Sequence, residues 1–157
     1  MKIYVASSWR NEITPNVVSL LRKEGFEVYD FKNPPEKPGF SWSEIDPDWQ
    51  NWSFEQYKEA LSHSRSVEGF YSDFNAMQAA DVCVLVLPCG ASAHIEAGYF
   101  VGAGKKLIIL IPSGPYIGKL KFEAELMYKM ADLVTNRATE IIAELNKFSK
   151  TTKSIKQ

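Results

Sequence analysis

Residues 82–88, Val-Cys-Val-Leu-Val-Leu-Pro, are apolar almost without break. A strand with one face in water alternates apolar and polar side chains. A run without that alternation belongs to a strand covered on both faces, as in a parallel sheet. Four other short runs read as strands around it: residues 2–7, 26–31, 106–112 and, shortest, 132–136. Helical patterns fall between them. Val17, Val18, Leu20 and Leu21 recur at helical spacing, with Gly25 as a stop. Residues 93–104 read as a second helix. A closing helix over 137–148 carries Ile141, Ile142, Leu145 and Phe148 on one side. Strands alternating with helices imply right-handed crossovers, hence a doubly wound α/β domain: a mainly parallel five-stranded sheet with helices on both faces.

The bulk numbers narrow the setting. A chain of 157 residues, 45% apolar and 24% charged, suits one globular domain. That domain is expected over 1–148, with 149–157 as a polar, basic tail that frays. A net charge of −1 gives no electrostatic case for a nucleic-acid polymer or an anionic membrane. No run approaches the ~20 apolar residues of a membrane span, and the first residues lack a signal-peptide core. The two cysteines, Cys83 and Cys89, lie close together in or just after one apolar run. Neither a disulfide framework nor structural zinc is expected, and a reducing cytoplasm is the natural setting.

Residues 32–57 stand apart, with four of the eight prolines and three of the four tryptophans. This segment is too aromatic for a linker. It is expected to be an insertion over the sheet's edge or mouth, followed by helices at about 53–63 and 66–79. Phe40, Trp42, Trp49 and Trp52 either stack a ligand or pack an extra layer.

In an open parallel sheet, ligands bind at the carboxyl ends of the strands. Three loops lie there: Ala-Ser-Ser-Trp-Arg-Asn from residue 6, Pro-Cys-Gly-Ala-Ser from residue 88, and Pro-Ser-Gly-Pro-Tyr-Ile-Gly from residue 112. The second opens a helix whose backbone N–H groups can meet an anion. It is neither a P-loop nor a dinucleotide fingerprint, and no nucleophile elbow is present. Glu96 is expected near the start of that helix, where the dipole favours its ionised form. It is either a nucleophile or stabiliser facing a cleft, or an ordinary N-terminal glutamate. Gly98 and Gly102 each cost about 1 kcal/mol of helix propensity relative to alanine, which close packing against the sheet or a neighbouring subunit would explain. Asp73 lies beside Phe70, Phe74 and Met77, which are expected on a buried helix side; alone, it reads as a solvent-facing aspartate. Asp81 reads as a strand-entry residue. Tyr4, in the first strand, needs a partner for its hydroxyl, either Glu96 or backbone. His94 points away from Glu96 and reads as a surface or supporting group. Ser7 and Ser8 either bond a ligand or cap a turn. Arg10 is the strongest anion-binding candidate of these loops, against a surface salt bridge.

These pieces, in this order, resemble the nucleoside 2-deoxyribosyltransferase superfamily, which includes nucleotide N-hydrolases. The resemblance spans residues 2–135. It rests on Ile3-Tyr4-Val5-Ala6-Ser7-Ser8-Trp9, on Asp73 eight residues before Asp81, on Glu96-Ala97-Gly98-Tyr99 followed by Gly104-Lys105, and on Glu125-Leu126-Met127. It implies a flavodoxin-like fold. It also implies that Glu96 attacks the anomeric carbon, that Asp73 handles the proton on the leaving base, and that Tyr4 orients Glu96. No metal or organic cofactor is implied. Substrate-binding positions implied or suggested are Ser7, Ser8, Trp9, Arg10, Gly90, Ser92, Glu125 and Met127. The segment holding Glu125 and Met127 corresponds to one that enters a neighbouring subunit's site, so a homo-oligomer with shared sites is expected. Glu125 stands where the family has asparagine. No acidic residue precedes Glu96 in its loop, so Ser92 and backbone groups take the place of that base contact. The expected partner is a small nucleoside or nucleotide, with transfer and hydrolysis both open. The alternatives are a non-catalytic nucleotide-binding module in the same cleft and a scaffold protein.

Overall fold

The computed structural model describes residues 1–35, 38–112 and 125–155. Contacts divide the chain into two compact units, Met1–Tyr29 with Ala80–Gln157, and Asp30–Ala79.

The first unit is built on five strands: β1 Lys2–Ala6, β2 Glu27–Asp30, β3 Val82–Val86, β4 Lys106–Leu110 and β5 Leu133–Thr135. Their order is β2-β1-β3-β4-β5 and the sheet is parallel, as the unbroken apolar run at 82–88 required. The two faces of β1, β3 and β4 are filled by alternate residues. Ile3, Val5, Val82, Val84, Val86, Ile108 and Leu110 meet Val17, Val18 and Leu21 of helix α1 (Thr14–Lys23) and Ile141 and Leu145 of helix α5 (Ala138–Ile155). On the other face lie Tyr4, Ala6, Cys83, Leu85, Leu107 and Ile109, all buried. Helix α4 (Ala91–Gly102) packs on β1, β3 and β4, burying Ala93, Ala97 and Phe100.

Helix boundaries differ from the sequence reading for local reasons. Helix α1 begins at Thr14, ahead of Val17, because the Asn11 side-chain oxygen accepts from the backbone N–H of Ile13 and Thr14. Pro15 is tolerated in that first turn. Helices α1 and α4 both end in a Schellman arrangement. Gly25 (φ +84°) and Gly104 (φ +68°) supply the left-handed residue that favours glycine. Helix α5 runs on to Ile155, into the stretch expected to fray; no glycine or proline interrupts residues 138–155. Asp81 does mark the strand entry: its carboxylate accepts from the Lys2 backbone N–H at 2.8 Å, and its own N–H reaches the Lys2 carbonyl.

The second unit holds single 3-10 turns at Trp42–Glu44 and Trp49–Asn51, then helices α2 (Phe54–Ala60) and α3 (Ser64–Ala79). Ser53 and Gln56 form a reciprocal capping box at the start of α2. Phe40 and Trp42 meet edge to face at 4.8 Å, and Trp42 meets Trp52 and Tyr57 in the same manner. The Trp52 indole donates to Asp46 at 2.6 Å. Phe40, Trp42 and Trp52 therefore pack on one another. Gly69 of α3 is required by this cluster, since a Cβ there would lie 2.6 Å from the Phe40 Cβ. The expectation that Phe70, Phe74 and Met77 share a buried side is corrected. Met77 is buried and Phe74 half-buried, but Phe70 is 58% exposed and stacks on Phe74 at 5.3 Å. Helical spacing puts these residues on one side, but it does not say how far along that side the cover extends.

Candidate active site

The carboxyl ends of β1 and β3 are tied together by polar side chains. Ser7 Oγ donates to the Val86 carbonyl at 2.8 Å and accepts from Thr14 Oγ1 at 2.9 Å. Asn11, which sequence reasoning passed over, is buried here. Its amide group donates to the carbonyls of Val86 and Pro88 at 3.3 and 3.1 Å, while its oxygen caps α1. One residue thus fixes the loop after β3 and the helix after β1. The available signal was an asparagine just ahead of a helix. Ser8 Oγ accepts from the Arg10 backbone N–H at 3.2 Å, so Ser8 caps its turn. Trp9 and Arg10 are exposed beside it.

Gly90, extended at φ −96° and ψ −173°, is the N-cap of α4. The helix therefore begins at Ala91 rather than Ala93, and Glu96 lies in its second turn. This corrects the dipole argument, because the helix-end effect falls off within the first turn. Glu96 is half-buried, three residues after Ala93 and four before Phe100, on the flank of the buried face. Burial, and then the Glu96 charge, push the Cys83 thiol well above its usual range. The same two causes push Cys89 up to about 12. Both cysteines are thus thiols at neutral pH, and Glu96 is within electrostatic reach of each. Cys83 is the register partner of Tyr4 on β1. Tyr4 is fully buried, stacks on Tyr29 at 5.4 Å and lies 5.8 Å from Phe100. Tyr4 and Cys83 thus lie side by side on the sheet face that α4 covers, and Glu96 of α4 is within electrostatic reach of Cys83.

A second cluster sits at the start of α4. His94 Nδ1 lies 2.9 Å from the Gly90 carbonyl and 3.6 Å from Cys89 Sγ. Its Nε2 lies 2.9 Å from the Tyr128 hydroxyl, and the two rings are within 6° of parallel. A carbonyl can only accept, so Nδ1 carries a proton. In the neutral imidazole Nε2 is then the acceptor and Tyr128 donates to it. Burial first, and then the neighbouring Cys89 and Glu125, raise the Tyr128 phenol above its usual value and keep it a donor.

The remaining positions are placed as follows. Asp73 is half-buried on α3, in the second unit. Ser92 is exposed in the first turn of α4. Glu125 immediately precedes the 3-10 segment Leu126–Met130, without a side-chain capping bond, and Met127 is 60% exposed on it. Gly98 and Gly102 have open space where a Cβ would stand, so packing against the sheet does not explain them. Most of the loop after β4, from Ser113, lies outside the described residues. Among the described residues no three His, Cys, Asp or Glu side chains converge to hold a metal, and no helix is long and apolar enough to cross a membrane.

The strand order 2-1-3-4-5, with Ser7, Asn11 and Gly90 beyond the carboxyl ends of β1 and β3, defines a flavodoxin-like α/β protein. Among solved structures the chain is similar to a 2-deoxyribosyltransferase from Bacillus psychrosaccharolyticus, at 20% identity and TM-score 0.57, covering 90% of each chain. It is also similar to a conserved protein from Enterococcus faecalis V583, at 15% identity and TM-score 0.58, covering 94% of this chain and 98% of that one. A CMP N-glycosidase from Clostridium botulinum matches at 16% identity and TM-score 0.48, over 93% and 99%. No family model and no curated protein matches the chain by sequence. The fold is therefore the one expected from the sequence, shared with a 2-deoxyribosyltransferase.

Proposed function

We propose that this chain cleaves the N-glycosidic bond of a (deoxy)nucleoside or nucleotide through Glu96, passing the sugar to another base or to water. The observation that supports this best is the placing of Glu96: it is half-buried on the helix that follows β3, and its charge acts on Cys83, the register partner of buried Tyr4, in a sheet whose fold a 2-deoxyribosyltransferase shares.

In this reading a Glu96 carboxylate oxygen bonds to the anomeric carbon as the C–N bond breaks. The electron pair of that bond leaves on the base nitrogen. Asp73 supplies the proton that the departing base takes up. A second base, or water, then attacks the same carbon, and the ester bond to Glu96 breaks to restore the carboxylate; Asp73 recovers its proton from the attacking group. This is the double displacement of a retaining glycosidase. Tyr4 orients Glu96. Trp9, Arg10, Gly90 and Ser92 form the ligand rim. Ser7 and Ser8 contribute less than the sequence suggested, since each already holds the loop.

The reading includes a homo-oligomer. Gly98 and Gly102 face open space within the chain, and Ile95, Leu126 and Met127 are exposed. A second copy would cover them and receive Glu125 and Met127 at its site.

The test is incubation with nucleosides, deoxynucleosides, their monophosphates and NAD, with chromatography for free base. Release from at least one compound, abolished in Glu96→Gln, is expected. A second base in the mixture separates transfer from hydrolysis. If nothing in the panel releases base, the enzymatic reading is dropped. A strict monomer by light scattering removes the shared site.

A further inference from the structure

The segment Leu126–Met130 is a single stretch of 3-10 helix whose apolar residues point outward, with Leu126 81% and Met127 60% exposed. Burial therefore does little to hold it. Tyr128 is the exception on this segment: it is half-buried, and its hydroxyl reaches His94 Nε2 at 2.9 Å with the rings parallel. His94 is in turn fixed from its other nitrogen by the Gly90 carbonyl at 2.9 Å. Gly90 is the N-cap of the helix that carries Glu96 two residues beyond His94.

We infer that His94 and Tyr128 form a clamp that positions the segment 125–130 against the start of α4, and so sets how Glu125 and Met127 are presented to substrate. Its role in substrate binding rests on the N-glycoside reading above; the clamp itself does not. The clamp has a direction. With Nδ1–H committed to Gly90, neutral His94 offers only a lone pair to Tyr128, and the phenol must donate. A residue at 94 serves only if its far end accepts a hydrogen bond at that reach. Glutamine does so through its side-chain carbonyl; alanine does not. Phenylalanine at 128 keeps the ring contact and loses the bond. His94 and Tyr128 are positioning residues, acting through the segment they hold.

Two measurements test this. Hydrogen exchange of the amides in 125–130 reads the clamp directly. Tyr128→Phe and His94→Ala should each speed exchange there by about 2- to 10-fold, the range expected from losing one hydrogen bond of ordinary net strength. His94→Gln should return it toward the wild-type rate, and exchange in β3 and β4 should not change. With a compound that the wild type cleaves, Tyr128→Phe and His94→Ala should raise KM by a similar factor and leave kcat nearly unchanged, and His94→Gln should restore KM. A merely structural role predicts a lowered melting temperature with no KM-specific loss and no rescue. If exchange in 125–130 is unchanged in both Tyr128→Phe and His94→Ala, the clamp is overturned, whatever the enzyme does. If exchange responds but no compound is cleaved by the wild type, the clamp stands and its catalytic setting falls.

Discussion

The two units of this chain are held together in different ways. In the sheet unit, strands β1, β3 and β4 bury nearly every side chain on both faces, and the polar groups at their carboxyl ends are fixed by Ser7 and Asn11. The unit over 30–79 has few buried side chains. It relies on an edge-to-face aromatic cluster, a tight Gly69–Phe40 contact, capping boxes and the Arg65–Glu44 ion pair at 2.6 Å. Each unit also carries one of the two proposed catalytic carboxylates, Glu96 in the first and Asp73 in the second. The lesson is that one unit owes its stability to area removed from water, the other to a few specific contacts. Change should therefore strike them differently.

The largest contrast is in activity. Glu96→Gln removes the proposed nucleophile and should lower base release by on the order of a thousandfold or more. Asp73→Asn should cost about 10²- to 10⁴-fold for bases that need protonation to leave, and far less for an activated base that leaves unaided. Rates for a series of leaving bases check this. Equal loss for every base in both variants would erase the distinction between the two carboxylates.

Next come the two kinds of packing. Leu85→Ala deletes a fully buried side chain from the sheet and should cost about 2–5 kcal/mol, read as a lowered denaturant midpoint of the whole sheet unit. Gly69→Ala drives a Cβ into Phe40 and should cost about 1–3 kcal/mol. Its signature should be strongest in tryptophan fluorescence, since three of the four tryptophans, Trp42, Trp49 and Trp52, lie in that unit.

The smallest effect is acid sensitivity of the second unit. The hydrogen bond from Arg65 holds the Glu44 carboxyl below its usual range, and the backbone N–H of Asp48 followed by the Trp52 indole does the same for Asp46. A depressed folded value means stabilisation present above the ordinary carboxylate range and lost as pH falls through the lowered value. Both groups are close to solvent, so the effect is small and salt-sensitive. Tryptophan fluorescence should shift on acidification before the sheet's circular dichroism does, and Glu44→Gln should shrink that lead. Coincident transitions would show the two units to be equally acid-labile.

Much of the fold was legible in the sequence, and the pattern of misses is physical. The five strands were found because short apolar runs such as 82–88 and 107–112, bounded by turn residues, fit a strand covered on both faces. Helix starts were missed by two or three residues because caps came from Asn11 and Gly90, whose roles depend on local backbone geometry. Phe70 was misjudged because periodicity gives a side, while cover comes from whatever packs against it. Tyr4, Asp73 and Glu96 are proposed for the site from their order and spacing in the family resemblance. Asn11 is marked only by its place just ahead of a helix, and nothing local marks Cys89 or Tyr128: Asn11 and Tyr128 have partners 77 and 34 positions away in the chain, and Cys89 shares a charge environment with Glu96.

The sequence by itself determined the strand and helix alternation, hence the parallel sheet. Those follow from periodicity and from the handedness of crossovers, both written locally in the chain. Only the tertiary structure decided that Glu96 stands in the second turn of its helix with its charge on Cys83 and Cys89. It alone joined His94 to Tyr128, and it showed that Ser7 and Ser8 already hold the loop. Such facts depend on distances between residues remote in sequence, and electrostatic and hydrogen-bond energies are set by those distances.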